Sequence, residues 1–456
     1  MTLRKHGIVA ALPVILAMNG ALGADEVKPL MKDFIGLNGH FTFRPELYKQ
    51  VCCKVRNYHN MDWDVSRPGA PLTFPVCVNR VDWTRDAYGP WTRQGFEVDV
   101  CVQFNRFGQD VPDYRDLWKG RGQLAFDYGY EMARCFGPSG RDKLCTSIEI
   151  GNEPGSEFDD SLYTSIFTNM AKGIRSADPK VKIVTCACKS GSPDTYIKSL
   201  AQTFSAPGVK ELFDVISLHV YATKKDRQGQ SPWERSYPED PDIEYLKTVD
   251  EAIAWRNRNA RGKEIWITEF GWDACTPDAM KNRSGWFKKL NWTGVTDLQQ
   301  ANYLVRSCFC LAERDIGRAY IYFYNDENVP SVHAASGLTR KFEPKASFWA
   351  VKHLYETLGG YRMNRVVLKQ KDDVYAYEFS HGSNKNLLVW AVWSPTGTGR
   401  TAETALRGLP GTLLKIEGMP VSGGVAPVIG YQRIGGDAIQ LPITESPVYL
   451  TFDKRR

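Results

Sequence analysis

The chain has 456 residues, 43% hydrophobic, 12% aromatic and 24% charged, which is enough apolar surface for a large core and excludes an intrinsically disordered chain. The net charge of +6 is mild for this length, and pairs such as Lys224-Lys225 and Lys288-Lys289 stand alone between ordinary loop residues. A nucleic-acid binder gathers Lys and Arg on one face or in runs, so no nucleic-acid partner is predicted.

At the N-terminus a basic start (Arg4, Lys5, His6) precedes an apolar run from Ile8 to Met18, then small residues Ala21 to Ala24 before Asp25. This is the three-part form of a secretory signal over residues 1–23, cleaved near Gly23, and it predicts a secreted or periplasmic protein. The run is shorter than the roughly 20 residues that cross a bilayer, and no later segment is longer, so no membrane partner is predicted. Residues 24–33 form a short N-terminal segment that is a candidate extra strand for the C-terminal module.

From residue 34 to 358, short β-branched or aromatic runs alternate with amphipathic stretches, the pattern of a parallel sheet wrapped by helices. Predicted strands are Phe34 to Leu37, Asn57 to Trp63, Val98 to Phe104, Ser147 to Ile150, Lys182 to Cys186, Val215 to His219, Ile265 to Thr268 and Ala319 to Tyr322. Eight is the count a closed (β/α)8 TIM barrel needs, and the fold class is α/β. Predicted helices run from Tyr114 to Phe136, Asp159 to Asp178, Tyr245 to Arg261, Thr296 to Asp315 and Pro344 to Leu358, the last opened by Pro344 and closed by Gly359-Gly360. After that pair the helical period ends. Alternating runs such as Val374 to Phe379 and Leu387 to Trp393 predict an antiparallel β-sandwich over residues 359–456.

The eleven cysteines are odd in number, so at least one is unpaired or pairs between chains. Cys186, Cys188, Cys308 and Cys310 lie in apolar segments as buried thiols, while Cys135 and Cys145 flank a Gly/Pro turn and are placed to join.

Two carboxylates stand out. Ser147-Ile148-Glu149-Ile150 runs into Gly151-Asn152-Glu153-Pro154, and Glu264-Ile265-Trp266-Ile267-Thr268 runs into Glu269-Phe270-Gly271-Trp272. Glu153 and Glu269 therefore sit at the C-terminal ends of the fourth and seventh strands, on the rim that carries barrel active sites. Two carboxylates facing each other across one bowl are what glycosidic bond cleavage requires.

At this point the chain resembles clan A of the glycoside hydrolases, (β/α)8 barrels that act with retention. The resemblance rests on Asn152-Glu153-Pro154 and Thr268-Glu269-Phe270-Gly271-Trp272 and covers residues 34–358. With the appended sandwich, it looks most like family 39 and its neighbours. Where many family 39 members carry Trp before Asn-Glu-Pro, this chain has Gly151. The resemblance implies that Glu153 is the acid/base, Glu269 the nucleophile, Asn152 a ligand of the sugar 2-hydroxyl, and Tyr221 a hydrogen-bond partner of the nucleophile. A negative Glu269 nearby is expected to raise the Glu153 pKa.

His219, His40 and His59 are further candidates to contact sugar hydroxyls, and Trp272 and Tyr324 to stack on a pyranose face. The function expected is hydrolysis of O-glycosidic bonds in a polysaccharide or oligosaccharide. The alternatives are a non-catalytic carbohydrate-binding protein, a transglycosylase on the same scaffold, and a metal-dependent hydrolase using His40, His59 and His219. Gly120-Arg121-Gly122-Gln123-Leu124-Ala125 imitates a dinucleotide fingerprint but follows no strand. No nucleophile elbow, phosphate loop or zinc helix motif is present, so no cofactor or metal is expected. Residues 273–295 are predicted to be a long loop beside the bowl.

Overall fold

A computed structural model describes residues 27–65, 70–77, 80–104, 118–153, 160–187, 200–224, 234–289 and 291–455. The predicted signal segment, Cys188 and the Tyr114 start of the first long helix lie outside the described residues. Eight parallel strands close into a barrel in chain order: β1 (Ile35–Gly39), β2 (Lys54–Asn60), β3 (Glu97–Gln103), β4 (Ser147–Ile150), β5 (Lys182–Thr185), β6 (Val215–His219), β7 (Glu264–Phe270) and β8 (Arg318–Ile321). β8 pairs with β1 and completes the ring.

The strands are short, and burial on both faces sets their composition. In β4, Ile148 and Ile150 join the apolar layer beneath the helices. Ser147 and Glu149 instead bond to polar groups inside the barrel, Asp99 of β3 and Arg56 of β2. Helices Gly122–Phe136 and Asp160–Ala177 cover β3 to β5 and cross closely, because Gly129 and Gly173 leave room for backbone. A Cβ at Gly129 would come within 2.4 Å of the Met170 carbonyl, and one at Gly173 within 2.1 Å of that of Phe126. Helices Tyr245–Asn259, Asp297–Glu313 and Ala346–Leu358 complete the wrapping. Among the described residues, no helix is long and apolar enough to cross a membrane.

Three two-residue strands, β9 (Asn325–Asp326), β10 (Thr339–Arg340) and β11 (Glu343–Pro344), follow β8. Pro344 therefore pairs in a strand and does not open the last helix, which starts at Ala346 with Lys345 as its cap. The stretch predicted as a long loop instead contains two short helices, Pro277–Lys281 and Gly285–Lys289. Cys135 and Cys145 are both free thiols, so the predicted bridge is absent.

The C-terminal module has β12 (Tyr361–Gln370), β13 (Val374–His381), β14 (Leu387–Trp393), β15 (Ala402–Leu406), β16 (Thr412–Gly418), β17 (Gln432–Gly435), β18 (Ala438–Ile443) and β19 (Val448–Asp453). A five-stranded sheet, in the order β12-β13-β14-β19-β16, accompanies a three-stranded sheet, β15-β18-β17. The period of two in β14 divides its side chains between two cores. Leu388, Trp390 and Val392 join Ile439, Leu441 and Ile443 of the other sheet. Val389, Ala391 and Trp393 belong to the barrel's core, and Trp393 meets Phe309 of helix Asp297–Glu313 at 5.3 Å between rings. Of the N-terminal segment, Leu30 makes one antiparallel bridge to Arg362 of β12 before the helical turn Met31–Phe34.

Candidate active site

The rim at the strand C-termini gathers both glutamates. β4 ends at Ile150, and Gly151 turns the chain with φ +91°, a left-handed conformation glycine adopts without strain. A Cβ there would also lie 3.0 Å from the Phe104 ring and 3.2 Å from Tyr163, so a bulky residue has no place before Asn152 in this turn. On β7 the pairing with β6 slips: Leu218 faces Ile267, but His219 faces Glu269. The extra residue, Thr268, is a bulge that breaks the strict alternation. Thr268 bonds Ser217 inside the barrel and Glu269, the next residue, also faces the bowl.

There, Glu153 Oε1 lies 2.6 Å from His219 Nδ1, which is 3.5 Å from Glu269 Oε2. One oxygen of each glutamate and a His219 ring nitrogen all lie within 4.8 Å of one another. Glu269 is held from three sides. The Tyr58 hydroxyl donates to its Oε1 at 2.6 Å, Arg56 Nη1 donates to the same oxygen at 3.2 Å, and the Tyr221 hydroxyl donates to Oε2 at 2.8 Å.

Arg56, on β2, organises the floor. Its Nε and Nη2 grip Glu149 of β4 at 2.6 and 3.0 Å, Nη1 donates to Asn38 at 2.8 Å, and Nη2 donates to Asn152 Oδ1 at 2.9 Å. The planar guanidinium is suited to such a fork of acceptors. Asn38 Nδ2 donates in turn to the Thr268 carbonyl at 2.9 Å, and Ser217 Oγ to Glu149 at 3.1 Å.

The electrostatics distinguish the groups. For Tyr58 and Tyr221, burial first and then the adjacent Glu269 push the phenol pKa well up, so both remain donors. Burial opposes a charge on His219, but the carboxylates of Glu269 and Glu153 and the hydrogen bond to Glu153 outweigh it and raise its pKa above 6.5. For Glu153, burial favours the neutral acid, yet His219, with smaller help from His333 and Arg56, holds its pKa below the usual 4.5. This corrects the sequence expectation. The partner of Glu153 is an imidazole in hydrogen-bond contact, and its pull outweighs the burial that favours the neutral acid.

The other predicted residues divide. His219 and Tyr221 join the glutamates, and Asn152 sits beside them on Arg56. Trp272 does not: it is buried in the barrel wall, donates to the Ser236 carbonyl at 2.7 Å and packs on Tyr245 and Tyr303. Tyr324 is likewise packed, against Phe43 and Tyr48, with its hydroxyl on Thr42. His59 is a buried core histidine held by Asp64 and the Tyr88 hydroxyl. His40 stands past β1 against Phe41 and Trp63. His40, His59 and His219 are therefore engaged with different partners and do not form one ligand set. The residues missed by sequence reasoning are Arg56, Tyr58 and Glu149. Their signal was available: polar residues at inward positions of strands that are otherwise buried.

No protein-family model matches the chain, and no curated protein sequence matches it. Solved structures with the same fold do. A family 39 glycoside hydrolase from the gut symbiont Bacteroides cellulosilyticus WH2 superposes with a TM-score of 0.66 at 14% identity, over 93% of this chain and 81% of that one. A family 51 alpha-L-arabinofuranosidase from Bifidobacterium longum gives 0.60 at 12% identity, over 93% and 97%. A bifunctional glucanase-xylanase from a metagenome library gives 0.60 at 12% identity, over 94% and 97%. The fold expected from the sequence, a TIM barrel followed by a β-sandwich, is the one shared with these structures.

Proposed function

We propose that the chain is an exported retaining glycoside hydrolase acting on a polysaccharide or oligosaccharide, with Glu269 as nucleophile and Glu153 as acid/base. The observation that carries this reading is the approach of the two carboxylates, with oxygens within 4.8 Å. Retaining enzymes hold their carboxyl groups about 5–5.5 Å apart, whereas inverting enzymes leave about 6.5–9.5 Å for a water.

In the first step Glu269 attacks the anomeric carbon while the proton held by the Glu153–His219 pair passes from Glu153 to the glycosidic oxygen. The C–O bond to the leaving group breaks and a glycosyl ester forms on Glu269. In the second step Glu153 takes a proton from water, whose oxygen attacks the same carbon and releases Glu269. Arg56, Tyr58 and Tyr221 fix Glu269 for attack and stabilise it as a leaving carboxylate. The Asn152 side-chain oxygen Oδ1 is taken by Arg56, which leaves its amide N–H groups as donors for the sugar 2-hydroxyl. The folds shared with glycoside hydrolases that include an arabinofuranosidase and a glucanase-xylanase support a carbohydrate substrate.

Glu153→Gln and Glu269→Gln are each expected to lower turnover of an activated aryl glycoside by about 10²-fold or more while circular dichroism at about 25 °C still shows the parent's fold. Normal hydrolysis by both variants would refute the assignment.

A further inference from the structure

One charged side chain beside the bowl is left incomplete. Arg235 is 5% exposed, yet among the described residues its Nε and Nη2 have no hydrogen-bond partner, and its Nη1 is used on Thr223. Its guanidinium carbon lies 4.7 Å from the centre of the Tyr221 ring, the same tyrosine whose hydroxyl binds Glu269. The guanidinium is therefore one phenol ring removed from the nucleophile. Asp273, the carboxylate in electrostatic reach, makes no hydrogen bond to it and accepts from Ser336 Oγ at 2.7 Å instead. His333 completes this wall: its ring lies 4.6 Å from Tyr221 and 5.7 Å from Tyr322, and its backbone has φ +63°.

A guanidinium does not shed its proton at accessible pH, so a buried one must have its donors satisfied. Arg56, which binds Glu269 directly, shows the satisfied case, with two carboxylates and two amide oxygens around it. Among the described residues, Arg235 has a fork of two free N–H groups and no ion-paired carboxylate. That fork matches two oxygens of one anionic group. Burial presses its pKa down, opposed by Asp273 and Tyr221, so an arriving anion also relieves an uncompensated charge.

We propose, resting on the glycosidase reading, that Arg235 binds an anionic substituent, a carboxylate or a sulfate ester, on the sugar held at Glu269. The substrate class is then an acidic glycan. Arg235 acts on specificity, and it takes no part in bond breaking.

The test compares matched 4-nitrophenyl glycosides of glucose and galactose configuration, each as the neutral sugar, the uronic acid and the 6-sulfate. The parent enzyme is expected to show kcat/KM about tenfold or more higher for an anionic member than for its neutral partner. Arg235→Met should reduce that ratio by about tenfold or more, and Arg235→Lys should keep part of it. A preference for the uronide or for the sulfate identifies which anion is bound. Equal or better turnover of the neutral members, or an unchanged ratio in Arg235→Met, overturns the inference and leaves the glycosidase reading intact. If none is cleaved, calorimetry with free uronates, sugar sulfates and neutral sugars decides separately. Tighter binding of the anions that is lost in Arg235→Met supports the inference, and no preference overturns it.

Discussion

At the scale of single residues, the site depends on where one proton is kept. His219 raised and Glu153 lowered describe an ion pair, and the two groups lose their contribution at opposite ends of the pH range. The stabilisation from His219 is complete below its unfolded pKa of 6.5 and fades as pH rises through the higher folded value. That from Glu153 is complete above 4.5 and fades as pH falls through the lower folded value. Both are present together between these limits. The melting temperature of His219→Asn should therefore fall furthest below that of the parent in this window, with the gap narrowing as pH rises beyond it. The same variant should move the alkaline limb of the kcat/KM profile to lower pH, because Glu153 then holds the proton without an imidazole partner. An alkaline limb that stays in place would show that His219 does not share the proton.

At the scale of elements, β2, β4 and β7 meet inside the barrel through Arg56. Its pair with Glu149 is buried on both sides, with 1% and 4% of the side chains exposed. Removing one partner of such a pair costs about 3–5 kcal/mol, because the other charge is left uncompensated. Arg56→Met should therefore be strongly destabilising in chemical denaturation, and Arg56→Met/Glu149→Leu should recover a good part of that loss. A double variant as unstable as the sum of the single ones would mean the two groups are not coupled.

The ends of β4 and β6 were legible in the sequence because short apolar runs stop at Gly151 and at His219, with the polar residues Asn152, Glu153 and Tyr221 close behind. β2 was placed three residues too late, since the inward polar residues Arg56 and Tyr58 hide its start among loop-like composition. The bulge at Thr268 could not be read, because it is set by pairing with β6 and leaves no local mark. Trp272 and Tyr324 were misassigned for a related reason. Their distance from a strand end was correct, but the choice between bowl and wall is made by the packing of Tyr245, Tyr303, Phe43 and Tyr48, which are distant in sequence.

At the scale of the whole molecule, barrel and sandwich share one apolar core along helix Asp297–Glu313. Phe309 packs against Phe379, Trp393 and Tyr449 of the five-stranded sheet. Beside it, the fully buried Arg306 pairs with Glu239, donates to the Thr396 carbonyl at 2.9 Å, and shares Glu239 with the Trp393 indole at 2.6 Å. The chain should therefore melt in one cooperative transition in calorimetry, and a truncation after Gly360 should be insoluble or molten. Two separate transitions would show that the sandwich is an independent appendage.

In the proposed reaction Glu153 and Glu269 flank one glycosidic bond at a separation that leaves no room for a water between nucleophile and sugar. The most direct measurement is proton NMR of the first sugar anomer released from a cleaved glycoside, before mutarotation mixes the anomers. The released sugar is expected to keep the anomeric configuration of the substrate, and release of the opposite anomer would rule out the double displacement.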